Sequence, residues 1–386
     1  MPSFLRGLLL GLLLLTAAAA PAQTTLTGTI RFGGGVREYR LYVPAAVLAA
    51  PTVPRPLLLN LHGYGSNNLE QEAYGDFRPI ADTAHFLVLH PNGTPDGSGA
   101  RYWNTFVPPG TTGPDDVGFL LALVDSVRAR YAVDTARLYS TGMSNGGFMS
   151  YELACRQSAR FAAIASVTGS IARTHLTACQ PARPVPVLEI HGTADNTVPY
   201  GGTALFAPIT DVLAFWVQAN GCGAPVVTAV PNTSTTDGCT AEHTVWPAGP
   251  SGARVEHFRI IGGGHTWPGA AFNIGVTNRD INASVEVWRF LRAYRRLGGQ
   301  PTAAPTDQPL AGALTVSPNP VAGADEVLVR GRRPLGAGQL SATDALGRTM
   351  PLTITPAGDA LRLDVRAWPA GVYWLHAEGR RTKLVR

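Results

Sequence analysis

Residues 137–147 read RLYSTGMSNGG and contain the pattern Gly-x-Ser-x-Gly at 142–146. The residues before the pattern predict a short strand, and Asn145–Arg156 has the apolar spacing of a helix. A serine on a sharp strand-to-helix turn needs small neighbours, because larger side chains beside it would collide. This context predicts that Ser144 is a nucleophile and that the backbone N–H of Asn145, at the start of the helix, can bind an oxyanion.

A second glycine-rich segment, LHGYGSN at 61–67, follows the short apolar run Pro56–Leu61. Acyl transfer to a serine of this kind uses two N–H donors for the oxyanion, and one normally comes from such a loop. The glycines allow the loop to approach a substrate closely, and the backbone N–H of Tyr64 is the predicted second donor. His62 precedes the nucleophile in the chain, so we expect it to hold the loop by hydrogen bonds rather than to act as a base.

Two loops downstream of Ser144 carry the remaining candidate catalytic side chains. Asp195 follows a predicted strand in VLEIHGTAD, and His265 follows another in IIGGGHTWPG. Both come at the carboxyl ends of strands, where an open α/β sheet places its site. His265 is expected to take the proton of Ser144, and Asp195 to orient the imidazole. Three other titratable residues are weaker alternatives for the acid or packed side chains: Asp211, Asp237 and His191.

The rest of residues 24–296 predicts the fold that carries these loops. Thr24–Phe32 and Arg37–Val43 show the alternation of apolar and polar residues that is typical of a hairpin. After them, short apolar strands alternate with segments of helical spacing: Asp115–Tyr131, Asn145–Arg156, Asp211–Asn220 and Asn282–Arg296. This alternation predicts an α/β fold with a mostly parallel sheet that helices cover on both faces.

The chain of 386 residues is long enough for two domains. We predict a catalytic domain at 23–297, a linker rich in Pro, Gly, Ala and Thr at 298–312, and a small all-β sandwich at 313–386. The net charge of +5 comes from 31 basic and 26 acidic residues, without a basic run that is interleaved with aromatic residues. We therefore expect no nucleic acid partner.

Residues 1–22 have the pattern of a signal peptide. Arg6 lies in a short charged start, a leucine-rich core follows, and Ala20-Pro21-Ala22 is a small-residue cleavage site. The apolar run is shorter than the ~20 residues that a spanning helix needs, and no other segment is long and apolar enough. We therefore expect an exported protein without a stable membrane span.

Four cysteines remain after removal of the leader, and an even number in an exported protein predicts two disulfides. Three connectivities are possible. Pairing between neighbours in the sequence closes the shortest loops, so we expect Cys155–Cys179 and Cys222–Cys239. The cysteines and histidines lack the close spacing of metal ligands, so no metal site is expected.

Four segments together resemble a known family: LHGYGSN, GMSNGG, HGTADNTVPY and GGGHTWPG, in this order. They are similar to the secreted esterases that are grouped with polyhydroxybutyrate depolymerases and feruloyl esterases, over Thr24–Arg296. The resemblance implies an α/β-hydrolase fold and a serine esterase without a cofactor. It also implies the same residue roles as above: Ser144, Asp195 and His265 as the triad, and Tyr64 and Asn145 as oxyanion donors.

The tail carries a second resemblance, over Leu314–Arg386. The segments LTVSPNPV, DALGR and PAGVYWLHAEGRRTKLVR are similar to the C-terminal sorting domain of type IX secretion cargo. The resemblance implies the type IX secretion machinery as a partner, and transport across the outer membrane to the medium or the cell surface. A generic β domain, for instance a carbohydrate-binding module, is the alternative.

The substrate is the least determined feature of the sequence. Only residues 145–194 lie between Ser144 and Asp195, which leaves little chain for a large lid and predicts an open cleft. Three aromatic residues near the site motifs are candidates for substrate binding, with ordinary packing as the alternative: Trp103, Tyr200 and Trp267. We expect a polymer-linked feruloyl or acetyl ester, with poly(3-hydroxybutyrate) as the alternative. A peptidase, or a catalytically silent polymer-binding protein of the same fold, would be a different class.

Overall fold

A computed structural model of the chain describes residues 23–106, 113–296 and most of 314–386, with short gaps at 318–320, 322–324, 332–334, 345–347, 370 and 378–379. The predicted signal peptide at 1–22 and the predicted linker at 298–312 lie outside the described residues. So do parts of two tail segments, SPNP and DALGR, on which the second resemblance depends.

Strands and helices alternate through residues 23–296. The strands are β1 (Thr24–Phe32), β2 (Gly35–Val43), β3 (Arg55–Leu61), β4 (Leu87–Pro91), β5 (Thr94–Pro95), β6 (Arg101–Tyr102), β7 (Val133–Gly142), β8 (Ala163–Val167), β9 (Val187–Gly192), β10 (Val226–Ala229), β11 (Thr240–Trp246) and β12 (Val255–Ile261). The helices are α1 (Ala45–Ala49), α2 (Asn68–Tyr74), α3 (Arg78–Ala84), α4 (Asp116–Arg128), α5 (Asn145–Arg156), α6 (Arg173–Ala178), α7 (Ile209–Asn220) and α8 (Ala283–Leu291).

Within the described residues, ten of these strands form one sheet in the order β1-β2-β4-β3-β7-β8-β9-β12-β11-β10. The six central strands, β4 to β12 in this order, are parallel. The pairs β1–β2 and β10–β11 extend the two edges in antiparallel fashion. This is the mostly parallel α/β sheet that the sequence predicts.

Each central strand contributes apolar side chains to both faces of the sheet. Leu57, Leu59 and Leu61 of β3 pack in one buried cluster with α4, α5 and α7, whereas Leu58 packs in a second cluster with α3 and α8. Because successive side chains of a strand point to opposite faces, a sheet that is covered on both sides needs continuous apolar runs. The unbroken leucines of β3 meet this need, and they explain why the central strands lack the alternation of the opening hairpin.

Element boundaries differ from the sequence prediction mainly at the end of the domain. The helix α5 has the predicted bounds, but α8 stops at Leu291, and the backbone N–H of Arg296 donates to the carbonyl of Ala136. The strand β11 is not predicted from the sequence. Its residues TAEHTVW are mostly polar, and the strand forms because it pairs with β12 over seven residues. No helix in the described part of the chain is long and apolar enough to cross a membrane.

The described residues of 314–386 form two further antiparallel sheets. One has the order β13-β14-β17-β16 and the other β15-β18-β19. Their strands are β13 (Thr315–Ser317), β14 (Glu326–Arg330), β15 (Ser341–Asp344), β16 (Thr353–Ala357), β17 (Ala360–Asp364), β18 (Val372–Ala377) and β19 (Arg380–Val385). Side chains from both sheets, among them Leu363 and Leu375, share one buried apolar cluster.

The cysteines pair only in part as predicted. Cys155 and Cys179 form a disulfide. Cys222 and Cys239 are unpaired thiols, so the second predicted bridge is wrong. The cause is the strand β11, which the sequence did not predict. Cys239 directly precedes β11, whereas Cys222 lies near its opposite end: the N–H of Gly223, the next residue, donates to the carbonyl of Pro247, which follows the strand. A seven-residue strand is about 20 Å long, and a disulfide requires Cα atoms within about 7 Å.

We expect the Cys155–Cys179 bridge to stabilise the fold by restricting the unfolded chain. A bridge between residues 24 positions apart contributes about 3 kcal/mol in the chain-entropy model. The double variant Cys155→Ser/Cys179→Ser should lose about that much free energy of unfolding in urea titrations. Cys222→Ser, the matched control, should change it by no more than about 0.5 kcal/mol. A Cys222–Cys239 peptide in non-reducing peptide mapping would contradict the assignment.

Candidate active site

The turn between β7 and α5 holds Ser144 in an uncommon backbone conformation, with φ 54° and ψ −122°. Such a positive φ is costly for a residue with a side chain, and it persists only where the surroundings fix it. Here the N–H of Ser144 donates to the carbonyl of Val167 at 2.8 Å, and Met143 pairs with Val167 as an isolated bridge. The turn is therefore attached to the end of the neighbouring strand β8.

The glycines on either side of Ser144 are required by close packing against β3. A Cβ atom on Gly142 would lie 2.6 Å from the carbonyl oxygen of Leu61, and a Cβ on Gly146 would overlap the same oxygen. Backbone therefore meets backbone where β3 ends and α5 begins. The Gly-x-Ser-x-Gly pattern thus has a steric cause in this structure, as the sequence analysis expected.

Asp195 and His265 meet at the carboxyl ends of β9 and β12. Nδ1 of His265 lies 2.7 Å from Oδ2 of Asp195, and the N–H groups of Thr197 and Val198 each donate to Oδ1 at 2.8 Å. Burial by itself raises the pKa of the Asp195 carboxyl, but the hydrogen bonds from His191, His265 and Val198 outweigh it and hold the pKa well below its usual range. Asp195 is therefore ionised at neutral pH, and His265 is held with Nδ1 as the donor.

The two alternative acids lie elsewhere. Asp211 is an exposed residue in the first turn of α7. Asp237 accepts the N–H groups of Cys239 and Arg279 in the loop before β11. Neither carboxylate has a described contact with His265, whereas Asp195 bonds to it directly. The geometry therefore favours Asp195 as the partner of His265.

The segment 61–67 lies against Ser144, as expected for an oxyanion loop. A Cβ on Gly63 would be 3.4 Å from Cβ of Ser144. His62 is fully buried: its Nδ1 lies 2.7 Å from the carbonyl of Gly63, and its Nε2 accepts the N–H of Gly93 at 2.9 Å. Burial lowers the pKa of His62 to about 4, so the ring is neutral and holds the loop.

Asn145 joins this loop region to the start of α5. Its side-chain oxygen accepts the N–H of Trp103 at 2.6 Å, and its amide donates to the carbonyl of Trp103 and to the hydroxyl of Thr105. The backbone N–H of Asn145 is the first of the helix, so it has no acceptor within the helix. This N–H and that of Tyr64 are the two donors that the sequence predicts beside Ser144.

The prediction that three aromatic residues bind substrate is wrong for Trp103 and Trp267. Both are fully buried: Trp103 donates its indole N–H to the carbonyl of His62, and Trp267 donates to Ser284. They support the loops on which the site residues lie. Tyr200 is half-buried and contacts His257 through its hydroxyl at 3.0 Å. It lines a cavity of about 620 Å³ between α7 and strands β10–β12, and the described lining includes none of the three triad candidates.

The structure shows other aromatic side chains beside the serine turn. The rings of Phe106, Phe148 and Phe206 lie 5.2–5.4 Å apart, and the N–H of Phe148 donates to the carbonyl of Ser144. Helical spacing carries a signal for Phe148, which is four residues after Ser144. No local signal marks Phe106 or Phe206, because their proximity depends on tertiary contacts.

A second apolar surface lies beside the loop of His265. The exposed side chains of Phe272, Ile274 and Val276 follow it in the chain, and the carbonyl of Val276 accepts the N–H of Gly264 at 2.9 Å. Among the residues that the structure describes, no cluster of three or more His, Cys, Asp or Glu could hold a metal ion.

The sheet topology and the serine turn define the class as the α/β-hydrolase fold. A family model described as "Esterase PHB depolymerase" matches residues 37–182. The chain is 31% identical to feruloyl esterase C of Emericella nidulans over 208 residues, which cover 52% of this chain and 67% of that protein. The chain belongs to this esterase family and is a carboxylic ester hydrolase.

Two further relatives also carry the word esterase in their names. An esterase named NocK, from Nocardia uniformis subsp. tsuyamanensis, is 29% identical over 293 residues, 69% of this chain and 83% of that protein. The bifunctional acetylxylan esterase/xylanase XynS20E of Neocallimastix patriciarum is 30% identical over 176 residues, 46% of this chain. The match spans only 24% of that longer protein.

Proposed function

We propose that Ser144, His265 and Asp195 form a catalytic triad that hydrolyses carboxylic esters through an acyl-enzyme. The observation that carries the proposal is the 2.7 Å contact between His265 and the ionised Asp195, at the same edge of the sheet as a serine held at a positive φ. His265 is partly exposed, with 19% of its side-chain surface accessible. Its Nδ1 is engaged by Asp195, which leaves Nε2 as the nitrogen that can take the proton of a hydroxyl.

The proposed reaction follows the donors and acceptors of these side chains. Nε2 of His265 takes the proton of Ser144 while Oγ attacks the ester carbonyl, and Asp195 stabilises the resulting imidazolium. The N–H groups of Tyr64 and Asn145 bind the negative oxygen of the tetrahedral intermediate. The imidazolium then protonates the leaving alcohol, and a water that His265 deprotonates cleaves the acyl-serine to release the carboxylic acid and free Ser144.

Ser144→Ala should lower kcat on a soluble ester at least ~10³-fold, because the acyl-enzyme cannot form. Asp195→Asn should also lower kcat by several orders of magnitude, since it no longer holds the imidazole in the required tautomer. Asp211→Asn is the matched control and should keep wild-type kcat, because its carboxylate is exposed and remote in the described contacts. Rates are measured by alcohol release. A Ser144→Ala protein with near-wild-type kcat, or loss of wild-type activity in a chelator alone, would contradict the triad.

For the substrate, we propose short acyl or hydroxycinnamoyl esters that are attached to plant polysaccharide. The names of two relatives, feruloyl esterase C and acetylxylan esterase/xylanase, support this class. The chain between β8 and β9 contains one helix, the six-residue α6, so it offers little material for a lid. The name of the family model supports poly(3-hydroxybutyrate) as the second candidate.

A panel of four substrates at equal enzyme concentration separates these candidates: methyl ferulate, acetylated xylan, poly(3-hydroxybutyrate) and a long-chain acyl ester. We expect methyl ferulate or acetylated xylan to be turned over fastest, with the long-chain ester slowest, because long acyl chains need an apolar groove or lid. The Ser144→Ala protein gives the background rate. Fastest release from the polyester would favour the second candidate, and fastest release from the long-chain ester would contradict the substrate proposal.

We propose that residues 313–386 are a sorting domain for type IX secretion, and that residues 1–22 direct the first export step. The described tail has its own apolar cluster, which shares no residue with the two clusters of residues 23–296. This independence supports a role that is separate from catalysis. A carbohydrate-binding module would have the same independence, so an experiment must separate the two.

A chain that ends at Arg296 should keep the kcat/KM of the full chain on a soluble ester, because the triad candidates all precede this residue. In a host with the type IX system, the shortened protein should remain inside the cell, whereas the full chain should reach the medium or the cell surface. Activity in each fraction is the measurement. Normal export with weaker retention on insoluble polysaccharide would instead indicate a binding module.

A further inference from the structure

A chain of buried polar groups lies behind Asp195, on the side away from His265. Glu189 and His191 both belong to β9, and their side chains are fully buried. Nδ1 of His191 lies 2.9 Å from one carboxylate oxygen of Glu189, and the hydroxyl of Tyr151 donates to the other at 2.7 Å. The ester hydrolysis proposed above gives none of these three side chains a role.

Hydrogen-bond chemistry fixes where the protons of His191 lie. Its Nε2 is 2.8 Å from the carbonyl of Val198, and because a carbonyl can only accept, Nε2 carries a proton. The same nitrogen is 3.4 Å from Oδ2 of Asp195. A second proton lies in the contact between Nδ1 and Glu189. His191 and Glu189 together therefore hold two titratable protons, and the pair has no net charge.

The contacts favour the imidazole as the holder of the second proton, because Glu189 already accepts the hydroxyl proton of Tyr151 and a carboxylate lies at each nitrogen of His191. Burial lowers the pKa of His191, but hydrogen bonds to Asp195 and Glu189, together with the negative charge of Glu189, outweigh it and raise the pKa to about 9. Two carboxylates therefore flank the ring at its two nitrogens. His191 is an imidazolium at neutral pH, and Glu189 is its counter-ion.

His191 also adds a charge contact to the hydrogen bonds of Asp195. Oδ1 accepts two backbone N–H groups, Oδ2 lies 2.7 Å from Nδ1 of His265, and Nε2 of His191 lies 3.4 Å from the same Oδ2. Val198 donates its N–H to Asp195 and accepts the proton of His191 through its carbonyl. The turn 195–198 and the carboxylate are thus held by the same ring.

Several titratable groups surround His191, and their charges bear on its effect. Burial holds the pKa of His257 near 3, so this ring is neutral, and its Nδ1 bonds to the backbone carbonyl of Glu189. Tyr200 makes an edge contact with His191 at 5.9 Å between ring centres. The full set that faces or adjoins the ring is Tyr151 from α5, Glu189 from β9, His257 from β12, and Asp195, Tyr200 and His265 from the loops.

We propose that His191, held by Glu189, is a positioning residue that fixes the carboxylate of Asp195 for its contact with His265. The proposal rests on the triad proposed above, in which Asp195 orients His265. His191 does not touch the reacting atoms. It acts through Asp195, first by orienting Oδ2 and second by sharing the negative charge that would otherwise stabilise only the imidazolium of His265.

The direction of the electrostatic effect follows from the positions of the charges. The imidazolium of His191 is nearer to Asp195 than its counter-ion Glu189 is, so its positive charge dominates there. A positive charge beside Asp195 disfavours a second one on His265. Removing the charge of His191 is therefore expected to move the acid limb of the pH profile of kcat/KM to higher pH.

The test compares three single variants in the full-length protein. His191→Gln can still donate a hydrogen bond but has no charge, and Glu189→Gln removes the counter-ion in a side chain of the same shape. His257→Gln is the matched control, because it disturbs the same buried region but does not contact Asp195 in the described structure. Each variant is measured for kcat, KM, the acid limb of kcat/KM and the unfolding midpoint.

We expect His191→Gln to lower kcat about tenfold with KM within about twofold of wild type, since the triad loses alignment but not substrate contacts. Its acid limb should move to higher pH by about half a pH unit. That of Glu189→Gln should move in the same direction, because without its counter-ion the buried ring of His191 loses its second proton and with it the positive charge beside Asp195. His257→Gln should keep the wild-type acid limb and kcat, whatever its unfolding midpoint. A folded His191→Gln protein with the wild-type limb and kcat would overturn the proposal.

A second measurement needs no variant. In the wild-type protein, ¹⁵N NMR of His191 should show protons on both ring nitrogens from pH 5 to pH 8, and loss of the Nδ1 proton near pH 6.5 would overturn the proposal. The Ser144→Ala protein separates this inference from the triad itself. If Ser144→Ala is active, the triad proposal fails. If Ser144→Ala is inactive and His191→Gln is unchanged, only the role of His191 fails.

Discussion

The close approach of backbone to backbone between the end of β3 and the start of α5 is the constraint on which the site depends. Gly142 and Gly146 both face the carbonyl oxygen of Leu61, and no side-chain atom fits between them. Because Leu61 is also the residue before His62, the same contact brings the segment 61–67 to the serine turn. One steric requirement therefore places this segment and Ser144 next to each other.

The remaining site residues depend on the parallel sheet in a similar way. β7, β9 and β12 point in the same direction, so the residues after their carboxyl ends meet at one edge, although they are far apart in the sequence. A backbone hydrogen bond also joins two of these loops: the N–H of Ala194 donates to the carbonyl of Gly263 at 2.9 Å. The loops of Asp195 and His265 are thereby joined by main chain as well as by side chains.

The sequence predicted those parts of the fold and site that have local causes. The spacing of the glycines predicts the serine turn, and the apolar runs predict the central strands. The positions of Asp195 and His265 directly after strands predict that the two side chains lie at the same edge of the sheet. Features with non-local causes were missed or wrong. The polar strand β11 exists through its pairing with β12, and its presence separates Cys222 from Cys239. Trp103 and Trp267 look like surface aromatics near a cleft, but their indole N–H groups find acceptors within the protein. Glu189 and His191 are two residues apart, which is the spacing of side chains on one face of a strand. This spacing predicts that they are close together, but it does not predict which of them carries a charge.

The two unpaired thiols bear on how the Cys155–Cys179 disulfide keeps its connectivity. Thiol–disulfide exchange proceeds through the thiolate, so its rate depends on how easily a free cysteine loses its proton. Burial raises the pKa of Cys222, and burial together with the neighbouring Asp237 raises the pKa of Cys239 to about 11. At neutral pH only about one Cys239 in 10⁴ is then a thiolate. Exchange with Cys155–Cys179 is correspondingly slow, so the native connectivity is protected kinetically.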